Sequence, residues 1–230
     1  MRVGFYTVFR TDPQHYLHAV ALVQDCAEVM PGVPVTMLTD DRTAAVYGVD
    51  EVRRLPRGPM LEQRLEHYAC TEGDWLLVDT DVSLRRSVVD VFDDKSFDVA
   101  LTDRHWPHLP QAVDVLHAMP FNTGVVFSRS SSFWADVLAV WRAYPETARD
   151  WMSEQRAVYA VVRTGRYRVK ILPGQVYNYP PESSTDTSTD AAVWHYKGPR
   201  KAWLSARAYQ VLGGQVSRES DVHAHAMAGR

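Results

Sequence analysis

Trp75-Leu76-Leu77-Val78 is apolar at every position and runs straight into Asp79-Thr80-Asp81. A strand with one face in water alternates apolar and polar residues, so a run apolar on both faces belongs to a strand covered on both sides. That requirement points to an open sheet with helices on each face, and the rest of the chain agrees. Strand-like runs at residues 3–8, 33–39, 49–55, 74–81, 97–102, 124–128 and 169–172 are interspersed with helical spacing at 14–30, 60–70, 132–144 and 154–162. A further short helix is predicted over 42–47. The alternation predicts an α/β protein with a Rossmann-like, mixed but mostly parallel central sheet flanked by helices. One domain over 1–212 is expected, followed by a polar, flexible tail over 213–230.

Composition narrows the function classes. The net charge of −3 over 230 residues does not describe a general polyanion binder. Arginines cluster locally at Arg53, Arg54 and Arg57, at Arg85 and Arg86, and at Arg163, Arg166 and Arg168, each expected on a solvated surface. Cys26 and Cys70 form neither a disulfide framework nor a zinc pattern, and both read as buried thiols. The first residues read directly as a strand, and no apolar run approaches the ~18 residues of a membrane span. The expectation is a cytoplasmic protein.

Open α/β sheets bind ligands beyond the C-terminal ends of their strands. Asp79 and Asp81 follow such a strand, and residues two apart in extended chain point the same way, so their carboxylates can converge on a hard cation such as Mg2+ or Mn2+ bridging to a diphosphate. A second stretch supplies what a carboxylate pair lacks. His195-Tyr196-Lys197-Gly198-Pro199-Arg200-Lys201-Ala202-Trp203 offers an imidazole that completes a metal shell and favours Mn2+. Gly198 lets backbone approach phosphate, and Lys201 supplies a point charge to a departing diphosphate.

These residues resemble glycosyltransferase family 8, enzymes of the GT-A fold that use UDP-sugars. The resemblance rests on Asp79-Thr80-Asp81, Asn122-Thr123-Gly124, Glu154-Gln155 and the His195 loop, in that order, over residues 3–205. Ala202 departs from the family's proline before Trp203, and the chain is shorter than typical members. The resemblance implies Asp79, Asp81 and His195 as metal ligands, and Gly198 and Lys201 as diphosphate contacts. It implies Arg64 and Thr80 at the donor, and Tyr6 and Thr7 in the nucleobase pocket with Asp12 and Tyr16 nearby. Asn122 is implied at the donor sugar or acceptor, Gln155 below the anomeric carbon, and Glu154 on a donor-sugar hydroxyl.

The implied activity is metal-dependent transfer of a sugar from a UDP-sugar to a hydroxyl, with retention of anomeric configuration. Residues 180–190, rich in Ser, Thr and Asp, are a candidate lid. A nucleotide-sugar-forming nucleotidyltransferase is the competing enzyme class, but Val8-Phe9-Arg10-Thr11 lacks the Gly-rich loop that class carries. A catalytically inactive nucleotide-sugar-binding module is a third reading, which has no need of both carboxylates and His195. The acceptor is open among glycans, lipid-linked sugars, small metabolites, protein hydroxyls and a modified DNA base. A carbohydrate or small molecule is favoured, because the chain is acidic overall. Within Arg104-His105-Trp106-Pro107-His108, Trp106 is a candidate to stack on an acceptor ring. His223 and His225 are read as tail residues without a metal role.

Overall fold

The computed structural model describes residues 1–9, 14–106, 111–188 and 190–211, and of residues 207, 210 and 211 the backbone alone. The strands, in chain order, are β1 (Arg2–Tyr6), β2 (Val35–Asp40), β3 (Glu51–Leu55), β4 (Trp75–Val78), β5 (Val82–Leu84), β6 (Val99–Asp103), β7 (Phe121–Ser128), β8 (Val169–Leu172) and β9 (Val193–His195). The helices are α1 (Gln14–Val29), α2 (Met60–Ala69), α3 (Val113–Ala118), α4 (Ser131–Ala143), α5 (Ser153–Val162), α6 (Gly174–Tyr177) and α7 (Lys201–Val211).

Seven strands form one sheet in the order β3-β2-β1-β4-β7-β6-β8. β7 runs antiparallel to both neighbours, and every other adjacent pair is parallel. The mostly parallel α/β sheet expected from sequence is therefore present, with β4 at its centre. Side chains of β4 alternate between two cores. Leu76 and Val78 pack with α1 residues Ala19, Leu22 and Cys26 on one face. Trp75 and Leu77 pack with Leu65 and Tyr68 of α2, Phe133 and Trp134 of α4, and Val158 of α5 on the other.

The feature that positions the site is a second, two-stranded sheet. β5 pairs antiparallel with β9, setting Val82 opposite His195. Sequence patterning reads neither strand, since each is only three residues long. It also reads 74–81 as one continuous strand, whereas β4 stops at Val78 and Asp79–Asp81 turn toward β5. The ladder to β7 ends there with Asp79 N–H donating to Gly124 O at 2.9 Å.

Two other expectations are corrected. Residues 42–47 are not helical: Arg54 takes the carbonyls of Asp40 and Thr43, and Asp40 Oδ1 accepts from the amides of Arg42 and Thr43. Cys26 is buried as expected, but Cys70, at the C-cap of α2, is exposed. The expected tail over 213–230, with His223 and His225, lies outside the described residues. No described helix is long and apolar enough to cross a membrane.

Candidate active site

Asp79 and Asp81 leave the C-terminal end of β4, and the β5–β9 ribbon delivers His195 to the same point. Tyr196 N–H donates to Asp81 O at 2.8 Å, which clamps the two chain segments together. One ligand atom from each of Asp79, Asp81 and His195 lies within 4.8 Å of the others. His195 Nε2 stands 3.2 Å from Asp81 Oδ1 and 3.7 Å from Asp79 Oδ2. Gly124 of β7 floors this cluster. A Cβ at Gly124 would come within 2.1 Å of His195 Cε1 and 2.8 Å of Asp79 Oδ2. Two carboxylate oxygens and an imidazole nitrogen converging on one point, with no side chain beneath, suit a divalent cation such as Mn2+.

The orientation of His195 is set by a relay of amides. Gly124 N–H donates to Asn122 Oδ1 at 3.0 Å, so that amide presents its oxygen. Asn178 Nδ2 must then donate to Asn122 Oδ1, at 2.9 Å, and it also donates to Thr102 Oγ1. The oxygen of Asn178 is left to accept from His195 Nδ1–H, at 2.9 Å. Nε2 is thereby the nitrogen presented to the carboxylates, as a metal-ligating histidine requires. Asn178 is fully buried, and sequence reading missed it because a lone asparagine near a loop carries no pattern. Asn178→Ala is expected to weaken Mn2+ affinity by about 10- to 100-fold, measured by manganese titration of the folded variant.

Charge around the cluster is arranged on both sides. Lys201, at the start of α7, places Nζ 3.0 Å from Asp81 Oδ2. Burial alone would push the Asp81 carboxyl up, but His195 and Lys201 outweigh it and hold it well below the usual carboxylate range. Arg64 of α2 places Nη2 2.8 Å from Asp79 Oδ1 and 3.1 Å from Thr123 O, and Nη1 3.6 Å from Glu154 Oε2. Burial pushes Glu154 up, against the pull of Arg64. Its Oε1 is buried with no hydrogen-bond partner among the described residues.

Two adjoining pockets, of about 510 and 760 Å³, share Leu61, Arg64, Asp79, Asp81, Trp151 and Lys201 as a common wall. Tyr6, Thr7, His15, Met60 and Thr80 line the first. Asn122, Gly124, Glu154, Gln155, His195, Lys197 and Gly198 line the second, together with Arg104. Of the residues expected at the donor site whose positions are described, all but Tyr16 line one of the two pockets. Asp12 lies outside the described residues.

Some details differ. Tyr16 does not line either pocket; its ring packs edge-on against Phe9, and His15 faces the first pocket instead. Gly198 is needed for its backbone, at φ +59°, since a Cβ there would meet nothing within 4 Å. The glycine demanded by crowding is Gly124. Trp106 is buried, and the Lys197 ammonium covers its ring 3.6 Å from the centroid, so it offers no free face for stacking. His108 lies outside the described residues. The exposed aromatic at the pocket mouth is Trp151, which pattern reading missed.

The arginine cluster at 163–168 lies between α5 and β8, at the sheet edge opposite the cluster of Asp79. Arg166 pairs with Asp136 at 2.7 Å, Arg168 with Asp98 at 2.6 Å, and Arg163 lies over the Tyr159 ring. Those charges are met locally and do not flank the pockets.

No protein family and no curated protein matches the chain by sequence. Solved structures do. An active-site mutant of LgtC superposes with a TM-score of 0.65 at 16% identity, covering 96% of this chain and 98% of that one. The chain has the GT-A glycosyltransferase fold. GlyE of Streptococcus pneumoniae TIGR4 gives a TM-score of 0.61 at 14% identity, over 96% of this chain and 64% of its own. A glycosyltransferase involved in glycosylation of the major capsid of PBCV-1 gives 0.54 at 14% identity, over 90% and 99%. The GT-A fold places the cluster of Asp79, Asp81 and His195 at the C-terminal edge of the sheet, where open α/β sheets take their ligands.

Proposed function

We propose that this chain is a metal-dependent, retaining glycosyltransferase that moves a sugar from a UDP-sugar to a hydroxyl of a carbohydrate or small-molecule acceptor. The observation that carries the reading is the meeting of Asp79, Asp81 and His195 with Lys201 on the wall shared by two pockets in a GT-A fold. The structurally similar LgtC is described as a galactosyltransferase solved with donor and acceptor sugar analogs, which fits a cleft in two compartments.

The nucleoside is assigned to the pocket of Tyr6, Thr7 and Thr80, and the sugars to the pocket of Gln155. Asp79, Asp81 and His195 would hold the ion, Mn2+ or Mg2+, which when bound supplies Lewis-acid stabilisation of the diphosphate. Lys201, now 3.0 Å from Asp81, would offer its ammonium to a β-phosphate oxygen as the sugar–phosphate bond breaks and charge develops there. Glu154 Oε1, buried with no hydrogen-bond partner among the described residues, would accept from a donor-sugar hydroxyl, while Arg64 lies beside its other oxygen. Gln155 is a neutral neighbour for an oxocarbenium-like centre. Its carbonyl is held by Arg104, so its amide cannot swing freely. A front-face attack needs no strong base, since the acceptor's proton passes to the departing phosphate oxygen. Trp151 offers a ring face at the pocket mouth for a sugar to stack on.

The test is UDP release from a panel of UDP-sugars with Mn2+, beside the thermal shift given by UDP. Metal-dependent release from one donor, suppressed by EDTA, is the expected result. UDP that shifts the melting temperature equally with and without Mn2+ would sink the metal assignment. No shift under any condition would sink the donor assignment. Trp151→Ala is expected to raise acceptor KM by about tenfold, read from initial rates, and to weaken UDP by a smaller factor, since the ring also borders the nucleoside pocket.

A further inference from the structure

Four cationic side chains line the larger pocket, and they divide into two kinds. Arg64 meets Asp79 and Lys201 meets Asp81. Arg104 and Lys197 meet no carboxylate at ion-pair distance among the described residues. Arg104 is buried and spends its Nε hydrogen and one Nη2 hydrogen on neutral oxygens, Phe121 O and Gln155 Oε1. The Nζ of Lys197 is buried with no hydrogen-bond partner among the described residues, and rests on the Trp106 ring. A ring face compensates an ammonium only in part. Two neighbouring buried basic groups with no carboxylate at ion-pair distance among the described residues oppose folding, and such a cost is retained where a ligand supplies the closer charge. Both line only the compartment of Gln155 and not that of the nucleoside. Lys201 and the metal-type cluster already serve the wall where the diphosphate is assigned.

We propose that the sugar compartment is built for an anionic sugar, a uronate or sugar phosphate, whose carboxylate or phosphate docks between Arg104 and Lys197. The planar fork of Arg104 suits either oxyanion, and Lys197 adds a point charge beside it. This rests on the nucleotide-sugar reading above. The anion arrives on one of two molecules, the acceptor or the transferred sugar, and the chemistry at Arg104 and Lys197 is the same for both.

The experiment has two arms. Protein loaded with Mn2+ and UDP is titrated with glucuronate, glucose 6-phosphate and glucose. Protein loaded with Mn2+ alone is titrated with UDP-glucuronate and UDP-glucose. In at least one arm the charged member is expected to bind about tenfold or more tightly than the neutral one, as a charge-assisted contact gives. Preference in the first arm assigns the anion to the acceptor, and in the second to the transferred sugar. Lys197→Met is expected to abolish the preference and Lys197→Arg to keep it. Lys197→Met is also expected to melt no lower than the parent, because it removes a buried nitrogen with no hydrogen-bond partner among the described residues. Equal binding of charged and neutral sugars in both arms overturns the proposal. So does a preference that survives unchanged in Lys197→Met, or a Lys197→Met variant that loses UDP affinity as severely as it loses the charged sugar. If UDP with Mn2+ does not bind at all, the nucleotide-sugar reading fails and this inference with it. If UDP binds and charged sugars show no preference, this inference alone fails.

Discussion

Asp81→Asn is expected to lower Mn2+-dependent UDP release by on the order of a thousandfold while leaving the fold intact. The amide keeps the shape of the side chain but removes the charge that faces both His195 and Lys201. An ion at such a site stabilises transition-state charge by several kcal/mol, and each ~1.4 kcal/mol is a factor of ten in rate. Asp81 is the carboxylate nearer His195 Nε2, and Lys201 Nζ lies 3.0 Å from its Oδ2, so its loss would disturb both the proposed ion ligands and the proposed phosphate contact. Far-UV circular dichroism checks the fold, manganese titration checks the ion, and UDP release reads the chemistry. A variant that folds, loses manganese and still releases UDP at the parental rate would mean that the cluster is structural.

Gly124→Ala is expected to do nearly as much with one methyl group. The new Cβ would stand 2.1 Å from His195 Cε1, so the imidazole must leave its place between Asn178 and the carboxylates. Manganese affinity and UDP release should both fall by about a hundredfold or more, with a stability loss of roughly 1–3 kcal/mol from overpacking. Gly32→Ala is the control. Gly32 has φ +79° and nothing within 4 Å of a Cβ, so alanine there costs about 1–2 kcal/mol of backbone strain. It should leave manganese binding unchanged. Equal loss of manganese binding in both variants, followed by titration and thermal melting, would show that the effect at Gly124 is general destabilisation.

The pattern of long elements was legible because each carries its own periodicity. Trp75–Val78 announces a strand covered on both faces, and α1, α2, α4 and α5 show their buried stripes. Elements below that length were not. β5 and β9 are three residues each and exist because they pair with one another, and the helix expected at 42–47 yields to Arg54, which lies beyond any local window. Among the residues lining the pockets, those in recognisable motifs were named from sequence, with Tyr6, Thr7 and Arg64, and several others were not. Asn178, Arg104, Lys197 and Trp151 sit in no spacing pattern. Their importance comes from what the fold sets beside them.

The local order of residues by itself determined the α/β class, the buried central strand, the acidic pair at its end and the short loop carrying His195, Gly198 and Lys201, since each follows from hydrophobic periodicity or side-chain chemistry within a few neighbours. Only the tertiary structure decided that Asp81 and His195, more than a hundred residues apart, share one point, and that Asn178 turns the imidazole toward the carboxylates. It also decided that Arg104 and Lys197 line a pocket with no carboxylate at ion-pair distance from either among the described residues. Long-range pairing across β5 and β9, and the loss of water around side chains it gathers, are properties of the assembled chain and leave no mark on the spacing of its residues.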